Sequence, residues 1–347
     1  MDHTTTPAPV AQSIQMKSRK AHYQMTNSTL FFATALAVAT ALPAHAATYP
    51  DRSMTMVVGA SPAGGTDVAA RLLATPLALA LGQQIVVENK PGANGNIGAV
   101  HASRAKPDGY TIFMQYSGSH VVNPHLLANP QWALNDFTPV ALVAFSAHVV
   151  AVRPELKANN LKELAQLAKT RPGELKFGSA GSGSIQHMAM ETFQQMTGTK
   201  FLHVPYKSAA PAVTDLLGGQ IDIVNTTPSP VLGHIKTGKL KALAFTSEKR
   251  HPEFPEVPTS AESGLPGYNV ATWFGILVPA KTPRDVIAKL DAEIKKIVES
   301  DEFTRKIAQQ GGTATYQGTD EFKALIEKDY QYWGNLIRSA GIKGDTQ

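Results

Sequence analysis

The sequence has no cysteine among its 347 residues and no strong excess of either charge. The missing cysteine excludes disulfides, thiolate catalysis, zinc-thiolate and iron-sulfur sites, and a lipid anchor on a cysteine after a signal segment. Lysine and arginine number 32 against 27 acidic residues, a balance too weak for a nucleic-acid-binding protein. No segment after residue 46 is apolar enough to predict a membrane span.

The first 46 residues are arranged like a cleaved secretory signal. Basic residues at Lys17–Lys20 precede an uncharged run over residues 30–42, and the small-residue pattern Ala44–Ala46 follows. We therefore predict a signal peptide over residues 1–46, cleavage after Ala46 and export to the periplasm. The alternative is a retained membrane anchor, but the 13 residues of the run reach only about 20 Å as a helix, short of a roughly 30 Å hydrocarbon core.

The mature chain, residues 47–347, is long enough for two domains with separate cores. Removing the signal takes away three basic residues and one acidic residue, which leaves a net charge of about +3. A slightly positive body favours anionic ligands on encounter but selects no particular anion.

Short apolar runs alternate with helical patterns along the mature chain, which is typical of a largely parallel α/β architecture. A middle block, residues 149–246, has its own complete set of strands and helices. We therefore predict a bilobal fold, with lobe 1 formed by residues 47–148 and 247–347 and lobe 2 by the middle block. The two chain crossings, near Val149–Val152 and Leu240–Thr246, would form a hinge beside a ligand cleft.

Two strand-to-helix turns combine glycine with small hydroxyl residues. The first runs from Ala60 to Asp67 and the second from Gly178 to Ser184. Glycine lets the backbone approach a ligand, and a helix start offers unpaired N–H donors with the positive end of the helix dipole. A facing pair of such turns suits a carboxylate better than a neutral sugar. The alternative is two tight turns with ordinary helix caps, but their duplication in two lobes favours binding.

Two other motifs have structural explanations. Gly233–Lys239 matches the glycine and lysine spacing of a P-loop, but Leu240 occupies the magnesium-binding position, so we interpret the segment as a helix end. Gly92–Gly98 lacks dinucleotide spacing and indicates a tight turn. We therefore expect no cofactor.

Isolated polar residues predict no catalytic or metal site. His120 and His125 have no acidic companion and are interpreted as surface histidines. His187 is expected either to approach the cleft or to pack against the protein. No G-x-S-x-G motif occurs, and three acids lack a basic or nucleophilic partner at a recognisable spacing: Asp67, Asp215 and Asp222.

Several segments in order resemble the Bug family of tripartite tricarboxylate transporter receptors. They are VVGASPAGGTDVAARLL, GQQIVVENKPGANGNIGA, KPDGYTIFM, FGSAGSGSIQHMAMETF, HVPYKSAAPAVTDLLGGQIDI, GKLKALAFTS and PEVPTSAESGLPGYNVATWFGILVPA. The resemblance spans Tyr49 to Gly341. It implies a type II periplasmic-binding-protein fold, soluble export without catalysis, and delivery of mono-, di- or tricarboxylates to membrane permease subunits. The receptor is expected to be a monomer that binds no nucleic acid, metal or cofactor.

The resemblance also implies which residues hold the carboxylate, through backbone donors, small polar groups and bridging waters. They are Ala60, Ser61, Gly64, Gly65 and Thr66 in the first turn and Ser179, Ala180, Gly181, Ser182 and Gly183 in the second, with Ser117, Asn225 and Thr226 as further candidates. Ala63 departs from the family, where glycine is common, and because alanine favours negative φ we expect a slightly different loop. Ala60 replaces a frequent aromatic residue and would leave room for a bulkier acid, such as an aromatic dicarboxylate.

The predicted mechanism is closure of the two lobes on the ligand, with each lobe supplying part of the donor set. One alternative is a periplasmic sensor that signals to a histidine kinase, which the sequence alone does not distinguish from a transport receptor. Another is a hydrolase on the same fold, which would need a catalytic triad that the sequence does not show.

Overall fold

Alternate side chains of the first strand are buried in two separate hydrophobic cores, one on each face of the sheet. In the computed structural model, which describes residues 49–252 and 254–342, Met54, Met56 and Val58 enter one core while Val57 enters another. Successive side chains of a strand point to opposite faces, so a strand buried on both faces is apolar throughout. The predicted signal segment lies outside the described residues.

The strands form two sheets in the described part of the chain. In chain order they are β1 (Met54–Val58), β2 (Ile85–Asn89), β3 (Thr111–Tyr116), β4 (Phe137–Ala147), β5 (Val149–Val152), β6 (Lys176–Ser179), β7 (Leu202–Pro205), β8 (Ile223–Thr226), β9 (Lys241–Phe245), β10 (Ala271–Pro279) and β11 (Thr313–Gln317). The first sheet has the order β11-β4-β10-β3-β1-β2, and the second has the order β7-β6-β8-β5-β9.

Both sheets are mixed. β1 is parallel to β2 and β3, and β6 is parallel to β7 and β8. The remaining pairs, made by β4, β5, β9, β10 and β11, are antiparallel. The α/β class is as predicted, but the expectation of largely parallel sheets is wrong. β5 and β10, the strands by which the chain enters one sheet from the other, run opposite to their neighbours, and so does β11.

The helices cover the sheets, and some of them begin or end at capping residues. They are α1 (Gly65–Leu81), α2 (Asn96–Ser103), α3 (Asn123–Leu126), α4 (Leu161–Thr170), α5 (Ile185–Thr197), α6 (Ala209–Leu217), α7 (Leu232–Lys236), α8 (Arg284–Val298), α9 (Asp301–Gln309) and α10 (Thr319–Ala340). Gly82 ends α1 with a left-handed φ of +68°, as predicted from glycine at this position. Across residues 49–252 and 254–342, no helix is long and apolar enough to cross a membrane.

The chain passes from the first sheet to the second at His148, the single residue between β4 and β5. The His148 N–H donates to the Thr246 hydroxyl at 2.9 Å, and the Thr246 N–H donates to the His148 carbonyl at 2.8 Å. Thr246 directly follows β9, the last strand of the second sheet. The chain returns to the first sheet at Val270, just before β10, and the His148 N–H also donates to the Val270 carbonyl at 3.2 Å, so the outward and return crossings are hydrogen-bonded to each other.

The segment between β9 and β10 packs on the second sheet. Phe254 and Val257 are buried with Phe245, and the Ser263 hydroxyl donates to the Leu243 carbonyl at 2.9 Å. The predicted lobe ranges, with residues 247–347 counted in lobe 1, stay a prediction.

Candidate ligand-binding cleft

A cleft lies where loops of the two sheets face each other. It encloses about 600 Å³, counted with the solvent at its mouth. The loops that follow β1, β6, β7 and β8 line it together with the end of β3 and part of β10. Ligands of open α/β sheets bind outside the carboxyl ends of the parallel strands. The cleft is therefore the candidate binding site.

The turn after β1 supplies the wall on the side of the first sheet. All five residues predicted there line the cleft: Ala60, Ser61, Gly64, Gly65 and Thr66. Within the described residues, no side chain caps the start of α1 at Gly64. Since the first N–H groups of a helix have no partner inside the helix, those of α1 are available to a ligand.

Ala63 bends this turn through a left-handed φ of +62°, so the expectation that alanine would keep φ negative is wrong. Its N–H donates to Asp67 Oδ2 at 2.9 Å, and the same carboxylate accepts from Arg71 Nε and Asn89 Nδ2. Burial raises the pKa of Asp67, but the hydrogen bonds, that of Arg71 foremost, outweigh burial and lower the pKa. The ionised carboxylate stabilises a backbone conformation that alanine otherwise avoids.

Gly65 lies at a close approach between loops of the two sheets. A Cβ atom on Gly65 would lie 2.8 Å from the Thr227 hydroxyl and 3.3 Å from the ring of Phe274. Thr227 follows β8 of the second sheet, and Phe274 lies on β10 of the first. Glycine is therefore required here for contact across the cleft.

The second glycine turn is divided between two neighbouring cavities. Ala180 lines the cleft, whereas Gly181 and Ser182 line an adjoining cavity of about 870 Å³, counted in the same way, that shares Asn94 and Lys207 with the cleft. Ser179 and Gly183 are buried behind the turn. The Ser179 hydroxyl accepts from the Gly181 N–H at 3.1 Å, so it shapes the turn.

Two stacked histidines support this second turn from behind. The rings of His187 and His203 lie 4.0 Å apart and nearly parallel. His187 Nδ1 accepts from the Gly183 N–H at 3.1 Å, and His203 Nε2 lies 2.6 Å from the Ser179 hydroxyl. Burial lowers the pKa of His203 to about 3. Of the two expectations for His187, packing is observed.

The three further candidates from the sequence are not among the residues that line the cleft. The Asn225 side chain is engaged with His148 at 2.8 Å and with Tyr268 at 2.6 Å. The hydroxyls of Ser117 and Thr226 are buried and have no hydrogen-bond partner in the described part of the chain. Their assignment as ligand-binding residues stays a prediction.

Sequence reasoning missed much of the cleft lining. The PGANGNIG segment forms a tight turn at Ala93–Gly95, as predicted, but its Asn94 faces the cleft. The Lys207–Ser208 turn, between β7 and α6, is a third strand-to-helix turn, but it has no glycine, so the rule that found the other two did not find it. The missed lining residues are Gly59, Pro62, Asn94, Gly95, Tyr116, Gln186, Lys207, Ser208, Ala209, Ala210, Thr227, Thr272 and Phe274.

The charge of the cleft is positive. Within the described residues, Lys207 is the only charged side chain that lines it. Four helices, α1, α2, α5 and α6, begin at its walls, and the N-terminus of a helix carries the positive end of its dipole. This arrangement favours an anion.

The other motifs have structural roles. Asp215 accepts from the Tyr206 hydroxyl at 2.6 Å, and Asp222 pairs with Arg153 at 2.8 Å. His120 is buried and stacked on Trp132 at 5.4 Å, so its interpretation as a surface histidine is wrong. No group of His, Asp and Glu that could hold a metal ion occurs among residues 49–252 and 254–342.

Comparison with known proteins gives consistent matches over nearly the whole described chain. Residues 69–342 match the tripartite tricarboxylate transporter family receptor. Protein BugT of Bordetella pertussis is 37% identical over 316 residues, which are 90% of this chain and 96% of BugT.

Two solved structures of similar proteins have the same fold. The periplasmic binding protein BugD matches with a TM-score of 0.80 and 34% identity, over 86% of this chain and 100% of BugD. Rpa4515 of R. palustris, solved with adipate, matches with a TM-score of 0.83 and 31% identity, over 85% of this chain and 99% of Rpa4515.

These matches confirm the periplasmic-binding-protein fold predicted from the sequence. The matched family consists of receptors rather than enzymes, so the prediction that the chain is not an enzyme is confirmed as well. The chain belongs to the tripartite tricarboxylate transporter family of receptors, which includes the Bug proteins.

Proposed function

We propose that this receptor captures a small mono-, di- or tricarboxylate in the periplasm and delivers it to the permease subunits of a tripartite transporter. The observation that carries the proposal is the positive cleft, where four helix starts and Lys207 converge and no acidic side chain is among the described lining residues. Rpa4515 was solved with adipate, which supports a carboxylate. The family description supports the transporter.

The proposed carboxylate site uses the backbone first. The N–H groups of Gly65 and Thr66 at the start of α1 would bind one end of the acid, and those at the start of α6, beside Ser208, would face it. Each helix terminus contributes about 0.3–1 kcal/mol toward an anion. Lys207 adds a full positive charge, and because it also lines the adjoining cavity, it would serve the second carboxylate of a longer acid.

The proposed mechanism is lobe closure about the crossing at His148. The turn at Gly65 and the loop at Thr227 belong to opposite sheets and meet at the cleft. A ligand held by both turns makes all of its hydrogen bonds only when the two turns are close. Because it binds the closed state more tightly than the open state, it shifts the population toward the closed state. We propose that residues 247–270 move with lobe 2, because they pack on the second sheet.

The periplasmic location rests on the predicted signal segment and on relatives such as the periplasmic binding protein BugD.

Ala60 lines the cleft with a small side chain, so an aromatic dicarboxylate stays among the proposed ligands. We also propose that the receptor acts as a monomer.

The test is a thermal-shift screen of the refolded mature protein, residues 47–347, against aliphatic and aromatic mono-, di- and tricarboxylates. Refolding removes any ligand carried through purification. An acid at 100 times its dissociation constant stabilises the native state by about 2.7 kcal/mol, which raises the melting temperature by a few degrees in a protein of this size. Absence of a shift with every acid, for protein shown to be folded and empty, would reject the proposal.

A further inference from the structure

A buried chain of hydrogen bonds runs from the cleft through the crossing to helix α5. Thr272, which lines the cleft, lies 2.8 Å from His148 Nε2, and His148 Nδ1 lies 2.8 Å from Asn225 Oδ1. Asn225 Nδ2 is 2.6 Å from the Tyr268 hydroxyl, which is 2.9 Å from the Ala189 carbonyl. All four side chains are buried, so protein groups determine the direction of each bond.

The donor and acceptor of each hydrogen bond follow from the end of the network at Ala189. The Ala189 carbonyl can only accept, so the Tyr268 hydroxyl donates its hydrogen there. The Tyr268 oxygen therefore accepts from Asn225 Nδ2, and this fixes the amide so that its oxygen faces His148. Because that oxygen can only accept, His148 Nδ1 carries a hydrogen.

The protonation state of His148 then determines in which direction the Thr272 hydroxyl hydrogen points. His148 is 0% exposed, and burial lowers its pKa to about 4, against a smaller opposing effect of the Asn225 hydrogen bond. No acidic side chain is among its hydrogen-bond partners in the described part of the chain. A neutral imidazole with hydrogen on Nδ1 has a bare Nε2, so the Thr272 hydroxyl must donate its only hydrogen to Nε2.

We infer that Thr272 acts toward the cleft as a hydrogen-bond acceptor only, and that the ligand carries a donor, a hydroxyl or an ammonium group, in addition to its carboxylate. This inference rests on the proposed carboxylate function and narrows it to hydroxy- and amino-substituted acids. A carboxylate oxygen at Thr272 would place lone pairs against lone pairs. Lys207 and the helix starts bind the carboxylates, and Thr272 selects the substituent.

Acids that differ only by a hydroxyl or amino substituent test whether Thr272 selects that substituent. Calorimetry compares malate and aspartate with succinate, and 3-hydroxyadipate and 2-aminoadipate with adipate, on the wild type, Thr272→Ser and Thr272→Val. We expect the wild type and Thr272→Ser to prefer a substituted acid by about three- to tenfold, the size of one net hydrogen bond. Thr272→Val keeps the shape but has no acceptor, so it should bind the substituted and unsubstituted acids equally. Equal binding by the wild type overturns the inference.

A second measurement does not depend on any variant that folds poorly. Nitrogen NMR of the ligand-free wild type reports which ring nitrogen of each histidine carries hydrogen. The inference requires His148 with hydrogen on Nδ1 and a bare Nε2 at neutral pH, and hydrogen on Nε2 contradicts it. Binding of unsubstituted acids without preference would reject the inference and leave the carboxylate function intact. Failure of every acid in the thermal-shift screen to bind would reject both.

Discussion

The backbone N–H of Ala63 donates to the carboxylate of Asp67 at 2.9 Å, four residues later in the first turn of α1. This bond joins the two unusual features of the turn, a left-handed alanine and a buried acid. Asp67 also binds Asn89, whose amide donates to the Ala60 carbonyl at 2.9 Å. The acid therefore fixes the cleft wall from behind and leaves its N–H donors free for a ligand.

Ala63→Gly should stabilise the protein. A left-handed φ costs an L-residue about 1–2 kcal/mol, whereas glycine loses about 0.4–1 kcal/mol more backbone entropy on folding. We expect a net gain of about 0.5–1 kcal/mol in the free energy of unfolding, measured by urea titration. The control is Ala78→Gly, a helical position in α1, which should lose about 1 kcal/mol. A loss of stability in Ala63→Gly would contradict the account of this turn.

Stability should fall as the pH drops below about 6.5. Burial lowers the pKa of His120 and His203 to about 3 and that of His148 to about 4. Between those values and the ordinary pKa near 6.5, the unfolded chain binds more protons than the native protein, so each histidine removes up to about 1.4 kcal/mol per pH unit. His120→Phe should reduce the slope by up to that amount. An unchanged slope in urea titrations from pH 7 to 5 would show that His120 is not buried and neutral.

Lys207→Met should weaken carboxylate binding. The substitution keeps the length of the apolar stem and removes the only charge among the described lining residues. Because Lys207 is exposed to solvent, we expect a modest loss of about three- to tenfold in affinity, larger for dicarboxylates than for monocarboxylates. Calorimetry at low and high salt measures it, with Lys200→Met, outside the cleft, as the control. An affinity equal to that of the wild type would exclude Lys207 from the site.

Gly65→Ala should hinder contact across the cleft. The added Cβ would meet the Thr227 hydroxyl at 2.8 Å, so bringing the two turns together around a ligand should weaken binding by about tenfold, the order of an overpacked contact. The double variant Gly65→Ala/Thr227→Ala lacks this clash. It should therefore bind the ligand nearly as tightly as Thr227→Ala alone. If the two losses simply add, Gly65 and Thr227 do not meet in the bound state.

The sequence was sufficient for the fold class because apolar periodicity, glycine stops and turn motifs act locally. Gly82 and the turn from Ala60 to Asp67 lie where these patterns predict. The left-handed Ala63 was not predictable from propensity, because its stability comes from Asp67 folding back on it. The burial of His120 depends on Trp132 and Trp273, which the fold brings together from distant segments.

The candidate site was predicted where it coincides with a strand-to-helix turn and missed where it depends on the meeting of the two sheets. Ala180 was found by its glycine-rich surroundings, but Thr272 lies inside a strand with no local signal. Its role depends on His148 and Asn225, which are far from it in sequence. The family resemblance named Asn225 as a ligand residue, yet its side chain is hydrogen-bonded to His148 and Tyr268 at the crossing.

The most direct test of the central claim is a calorimetric titration of the refolded receptor with the best acid from the screen and with the neutral amide of the same acid. The two ligands have nearly the same shape and differ in charge. We expect one-to-one binding of the acid, roughly ten- to 300-fold weaker binding of the amide from the loss of the helix-start and Lys207 interactions, and a smaller difference at high salt. Equal binding of acid and amide would contradict a cleft built for carboxylates.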